Sequence, residues 1–127
     1  MSDIHRFEAT YVSCFSENDV DIIGIGDDDQ NPHHFIILMQ QHREGVSPEQ
    51  SPELQTEDTH QAVTDAVQAI HMTRQSFRLT LSLALQAQLG YGVIEAMLPE
   101  RCERQLLGEY LHLCFDKTSI ALSINND

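Results

Sequence analysis

The stretch Val67–Leu83, VQAIHMTRQSFRLTLSL, decides the fold, because its second arm alternates without a fault. Phe77, Leu79, Leu81 and Leu83 fall on one side while Ser76, Arg78, Thr80 and Ser82 fall on the other. That period of two belongs to a strand with one buried face. In the first arm Ile70 and Met72 point together but Val67 is out of phase with them, which predicts a slip or bulge near Gln68 and Ala69. Thr73 to Ser76 supply the turn, so the stretch reads as a β-hairpin.

Downstream, Leu83–Leu89 (LALQAQL) predicts a short helix closed by Gly90, and Val93–Leu98 a further strand. The main helix is expected from near Pro99 to about Phe115. There Cys102, Leu106, Tyr110 and Leu113 recur at i, i+4, i+8 and i+11, joined by Leu107, Leu111 and Cys114, with Arg101, Glu103, Arg104 and Glu109 opposite. Gly108 inside it costs about 1 kcal/mol relative to Ala, so either the packing face carries the helix or a neighbour approaches closely there. Ile120, Leu122 and Ile124 alternate as a last strand.

Upstream, Ile4–Phe15 reads as one strand with Phe7, Ala9 and Tyr11 on a common face. The Ser16–Asp19 turn pairs it with Val20–Ile25. His34–Met39, HFIILM, is apolar enough for a central strand covered on both faces. From His42 to Asp65 the pattern fades around Gly45, Pro48 and Pro52, and only Glu53–Glu57 looks like a short edge strand. The expected architecture is α+β: one domain over residues 1–127, with an antiparallel β-sheet of about six to eight strands and one main C-terminal amphipathic helix packed on it.

The formal net charge is −13, and it is unevenly spread: residues 1–58 hold 13 acidic and 2 basic side chains, the remainder 7 and 5. A field of that sign repels phosphates and anionic headgroups and speeds encounter with a cationic protein. Nucleic-acid and membrane partners are therefore disfavoured. Cys14, Cys102 and Cys114 are odd in number and include no CxxC pair, which argues for free thiols in a reducing compartment. The start, MSDIHRFEAT, has no basic and apolar leader pattern, so a cytoplasmic location is expected.

Each chemical motif fails on a specific residue. Gly24-Ile25-Gly26 after a strand has Asp29 where a dinucleotide loop needs its third Gly. Asp27, Asp29 and Asn31 imitate the opening of a calcium loop, but Pro32 replaces its sharp-turn Gly and Leu38 its bidentate Glu. Cys102 and Cys114 fall on the apolar helix face, and no GxSxG elbow is present. Of the seven histidines none makes an HxxxH pair, and His33 and His34 on one strand would face opposite ways. No catalytic residue, metal ligand or cofactor is assigned on these grounds. What is left is a set of carboxylates, Glu17, Asp19, Asp27, Asp28, Asp29, Glu57 and Asp58, with Asp21 beside them. Gathered on one surface they would suit Lys and Arg side chains of a partner; the bland alternative is dispersed solvating charge.

From Gly24 onward the order of elements resembles the Immunity protein 10 family of bacterial polymorphic-toxin systems. The resemblance is carried by GIGDDDQNPHHFIILMQQ, by Pro48-Glu49-Gln50, by VQAIHMTRQSFRLTLSLALQAQLG and by ERCERQLLGEYLHLCF, over roughly residues 20–115. Gln41, Ser51 and Thr64-Asp65 depart from the family pattern, which has Arg, Asp and a Gly pair at those places. The resemblance implies a cytosolic immunity protein that neutralises a cognate toxin by direct binding without catalysis, the acidic surface suiting a basic toxin. Two rival readings are an acidic secretion chaperone, a class that commonly forms a homodimer, and a small metal-dependent enzyme using His33, His42 or His60.

Overall fold

The computed structural model describes residues 3–41 and 52–125. Nine strands and two helices follow one another there: β1 (Ile4–Glu8), β2 (Tyr11–Glu17), β3 (Val20–Gly26), β4 (Phe35–Gln41), β5 (Glu53–Thr56), β6 (Val67–Met72), β7 (Ser76–Leu81), α1 (Leu83–Leu89), β8 (Val93–Met97), α2 (Arg104–Phe115) and β9 (Ala121–Ile124). The architecture is α+β, but the strands form two sheets instead of one. A five-stranded sheet runs β1-β8-β7-β6-β9, and β2-β3-β4-β5 form a four-stranded antiparallel meander.

The hairpin forms as its pattern predicts up to Leu81, but Leu83, expected on the buried side with Phe77, Leu79 and Leu81, begins α1 and is exposed. Ile70 lies opposite Leu79 and Met72 opposite Phe77, and the register shifts between Val67 and Ala69. The Thr73 hydroxyl accepts hydrogen bonds from the Gln75 and Ser76 amides and so fixes the turn. The strand pairs flanking this hairpin hold the surprise. β8 pairs antiparallel with β7, but β1 joins β8 in parallel and β9 joins β6 in parallel, so the five-stranded sheet is mixed.

The expected single strand Ile4–Phe15 is divided between the sheets. The Ala9 amide donates to the Met97 carbonyl of one sheet, and the next amide, Thr10, donates to the Gly26 carbonyl of the other. Neither Gly nor Pro marks the crossing, but the inward set changes phase there: Phe7 and Ala9 face the core before it and Val12 and Cys14 after it, so Tyr11, expected on the face of Phe7 and Ala9, turns outward.

Inward-facing side chains of both sheets and both helices make one core: Ile23, Ile25, Ile36, Leu38 and Leu54 from the meander, Ile70, Phe77, Leu79 and Ile94 from the mixed sheet. α1 begins at a Ser82 N-cap, whose side chain accepts from the Leu85 amide, and ends at Gly90 with φ +90°. Glycine takes that left-handed conformation without the Cβ penalty other residues carry. α2 starts at Arg104, about a turn later than the sequence suggests, which leaves Cys102 outside it. The guanidinium of Arg104 donates to the Arg74, Glu100 and Pro99 carbonyls and so ties the helix start to the hairpin turn. Leu107, Leu111, Cys114 and Phe115 form the buried face of α2. A Cβ on Gly108 would lie 3.8 Å from Ile124 Cδ1, an ordinary contact, so the packing face carries the helix and space does not demand glycine.

On the outer side of the mixed sheet, Arg6, Glu95, Arg78, His71 and Ser123 stand in one row across all five strands. Glu95 accepts from Arg6 Nε on one oxygen and from Arg78 Nη2, at 2.7 Å, on the other. The Arg78 and Arg6 guanidiniums hold its carboxyl below the usual carboxylate range. A depressed folded pKa stabilises above the unfolded value of about 4.3 and stops doing so as pH falls through the folded one. Glu95→Gln should thus cost about 1 kcal/mol at neutral pH, the guanidiniums being exposed enough to weaken the pair. Urea unfolding of the two proteins should show that gap closing on acidification below about pH 4.

Candidate functional site

The carboxylates singled out from the sequence do not share one location. Glu17 and Asp19 sit at the β2–β3 turn, where Asn18 and Asp19 take positive φ of 53° and 63°. Asp27, Asp28 and Asp29 sit at the far end of β3, about 20 Å away at ~3.3 Å per residue. Glu57 and Asp58 follow β5, and because Thr56 pairs with Ile36 they lie at the same end as the Asp triplet. Five of the seven are thus brought to one end of the meander, and two are held at the other. Asp21 is buried and accepts from the Ser16 hydroxyl at 2.6 Å, so it belongs to the interior.

The triplet is structured by its own backbone. Asp27 accepts from the His33 and His34 amides at 2.9 and 3.3 Å. Burial works against its charge, but these two amides and the nearby imidazoles hold its carboxyl below the ordinary range. Asp28 accepts from the Gln30 amide. The Tyr11 ring lies over Gly26, and burial first, then the fields of Asp27, Asp29 and Asp28, push its phenol pKa up. Gly24-Ile25-Gly26 lies within β3, leading to a turn and a strand, with no helix N-terminus for a pyrophosphate.

Glu57 does more than contribute charge. Its Oε2 is 2.9 Å from His5 Nε2 and 2.8 Å from His34 Nδ1, and its Oε1 accepts from the Phe35 amide at 3.0 Å. His5 comes from β1, on the inward side shared with Ile94 and Leu79, while His34 and Glu57 come from the meander. The group therefore sits between the sheets at one open end. Tyr91 stacks on His5 with ring centres 5.0 Å apart and donates its hydroxyl to Asp58 at 2.7 Å; Phe7 stacks on His34 at 5.9 Å. The hydrogen bond to Glu57 pushes the His34 pKa up, against burial. Burial opposes the charge of Glu57, but His34, the Phe35 amide and His5 hold its carboxyl low.

The sequence does not reveal this cluster, because its members lie 52 and 23 residues apart. One signal was available: His5 is two residues before Phe7, so alternation puts it on the buried side of its strand. His33 and His60 do not join the group, and His42 lies outside the described residues, as does Pro48-Glu49-Gln50. Burial pushes the Cys14 and Cys114 thiols up to about 12 and raises that of Cys102, so all three stay protonated and weakly nucleophilic. A depression along α2, lined by Arg74, Arg104, Gln105, His112 and Ile124, holds none of the residues discussed above as ligands or acids.

A second feature lies on the outer side of the meander. Cross-strand register places Tyr11, Phe15, Ile22, Ile37 and Met39 on the face turned away from the core. Phe15 is 42% exposed and the others are partly exposed. β2 to β5 contain no Lys or Arg. The third sequence-predicted strand was expected to be covered on both faces; among the described residues only its Ile36 and Leu38 side is buried. Among the described residues no helix is long and apolar enough to cross a membrane. Comparison with protein-family models and with curated proteins finds no match.

Proposed function

We propose that this chain is a non-catalytic binding protein that seats a basic protein on the outer face of β2–β5, and that the partner is a cognate toxin neutralised in the cytoplasm. The toxin assignment rests on the resemblance to the Immunity protein 10 family; the binding surface rests on the meander itself. The observation that carries the reading is an apolar face of Tyr11, Phe15, Ile22, Ile37 and Met39 with carboxylates at both ends and no basic side chain on its strands. The face spans about 15 by 20 Å, from strand spacing and rise, comparable with the largest apolar patch of a typical monomer, which is often functional. Glu17 and Asp19 at one end and Asp27 to Asp29 at the other would steer a cationic surface onto it from either direction. On this reading the separation of the acids is useful, since they frame the apolar contact. Inhibition follows by occlusion, with no bond made or broken.

The test is co-expression with the product of the adjoining reading frame, scored by relief of toxicity and by association kinetics. Ile37→Asp should abolish rescue by raising the dissociation rate. Reversing Asp27, Asp28 and Asp29 to Lys should slow association tenfold or more, with the difference shrinking as salt rises. Rescue and kinetics unchanged in both variants, or a concentration-dependent homodimer closing over this same face, would overturn the proposal.

A further inference from the structure

We propose that His5 Nε2, His34 Nδ1 and Glu57 Oε2 form a binding site for one divalent transition-metal ion, zinc by preference, with the fourth position open to water. This stands apart from partner binding on the outer face and does not depend on it.

Four observations carry it. The three atoms lie within 4.8 Å of one another and come from β1, from the bend before β4 and from the end of β5, so both sheets contribute. Both imidazole nitrogens point at the same carboxylate oxygen, at 2.9 and 2.8 Å, and so converge on one spot. Each group is also restrained by a neighbour: the Tyr91 ring stacks on His5, the Phe7 ring stacks on His34, and the Phe35 amide donates to the other oxygen of Glu57. Finally, the ion pairs of Glu57 among the described residues are with imidazoles alone, and Asp58 and Asp27 lie close by. A bound dication would balance charge that, among the described residues, no Lys or Arg pairs with there.

The donor set selects the ion. Two neutral imidazoles and one carboxylate suit zinc and its neighbours, whereas calcium and magnesium require mostly oxygen. With metal–ligand bonds of about 2.0–2.2 Å, tetrahedral neighbours stand roughly 3.3 Å apart. The two contacts to Glu57 would therefore open by about half an ångström, a small side-chain rotation, as the ion replaces the protons between them. Three protein ligands and an open position also let a partner's side chain complete the shell.

The experiment uses the unaltered chain, freed of metal by chelation and titrated with zinc chloride. Calorimetry should show one equivalent bound. Imidazole nitrogen NMR should show His5 and His34 shifting while His60, His71 and His112 stay in place. His34→Gln and Glu57→Gln should each weaken binding tenfold or more, and His60→Gln should leave it unchanged. Absence of binding at micromolar zinc, or shifts confined to other histidines with His5 and His34 unmoved, would overturn the site. The NMR readout needs no variant, so a substitution that fails to fold leaves the proposal decidable.

Discussion

Replacing Phe77 with alanine should lower the free energy of unfolding by about 3–5 kcal/mol, the range for truncating a fully buried aromatic. Phe77 has no exposed surface and stands on β7, the middle strand of the mixed sheet, between Ala96 on β8 and Met72 on β6. Rigid backbone on both sides limits how far the site can collapse, so most of the vacated volume would persist as a cavity. A domain of this size has about 5–15 kcal/mol in total, and the variant should therefore unfold at much lower denaturant. Arg78→Ala, one position along on the opposite face, loses only a partly exposed ion pair and should cost about 1 kcal/mol or less. Equal costs for the two would mean that the alternation of β7 does not separate core from solvent.

Gly26→Val should cost about 1–3 kcal/mol while Gly24→Val, two residues earlier on the same face of β3, should be close to neutral. A Cβ at position 26 would meet the Tyr11 ring and hydroxyl at 2.6 Å, whereas at position 24 the nearest atoms are 4.0 Å away. The penalty is therefore steric and belongs to one neighbour. Removing that neighbour should recover most of it: in the Tyr11→Ala background Gly26→Val should be nearly free. A double-mutant cycle in urea would measure the coupling, and additive costs would place the strain in the backbone instead.

Those two residues also mark how far the sequence can be read. The β6–β7 hairpin, its bulge and the short helix ending at Gly90 are local, set by period and punctuation within about 20 residues. The face of α2 is legible only in part: Leu107, Leu111 and Cys114 are buried, but Leu113, expected with them, is exposed. The division of the first strand is not local. At Ala9 and Thr10 the chain changes sheets because its amides find carbonyls at Met97 and Gly26, and the trace this leaves in the pattern is the adjacent apolar pair Tyr11-Val12, where the core-facing set passes from odd to even positions. The two parallel pairings are hidden for the same reason. In the candidate sites, sequence identified Glu57 as acidic but not as the oxygen on which two imidazoles meet. Period two placed Phe15, Ile22, Ile37 and Met39 on strands, yet could not say which side would stay uncovered, because the four-stranded meander has apolar residues on both.

The parallel pairing of β1 with β8 also bears on the route by which the molecule forms. Arg6 and Glu95 meet across 89 residues, a far longer loop closure than the six-residue strands of the hairpin require. The hairpin can zip first, but β1 has no bed to lie in until β8 has docked on β7. Refolding should therefore be slow for a protein of this length, in the millisecond-to-second range typical of non-local strand order. Until that closure the Arg6 strand and the unsatisfied rim of β8 remain open to pairing with other chains, so yield on refolding should fall with protein concentration more steeply than the stability of the finished fold would suggest.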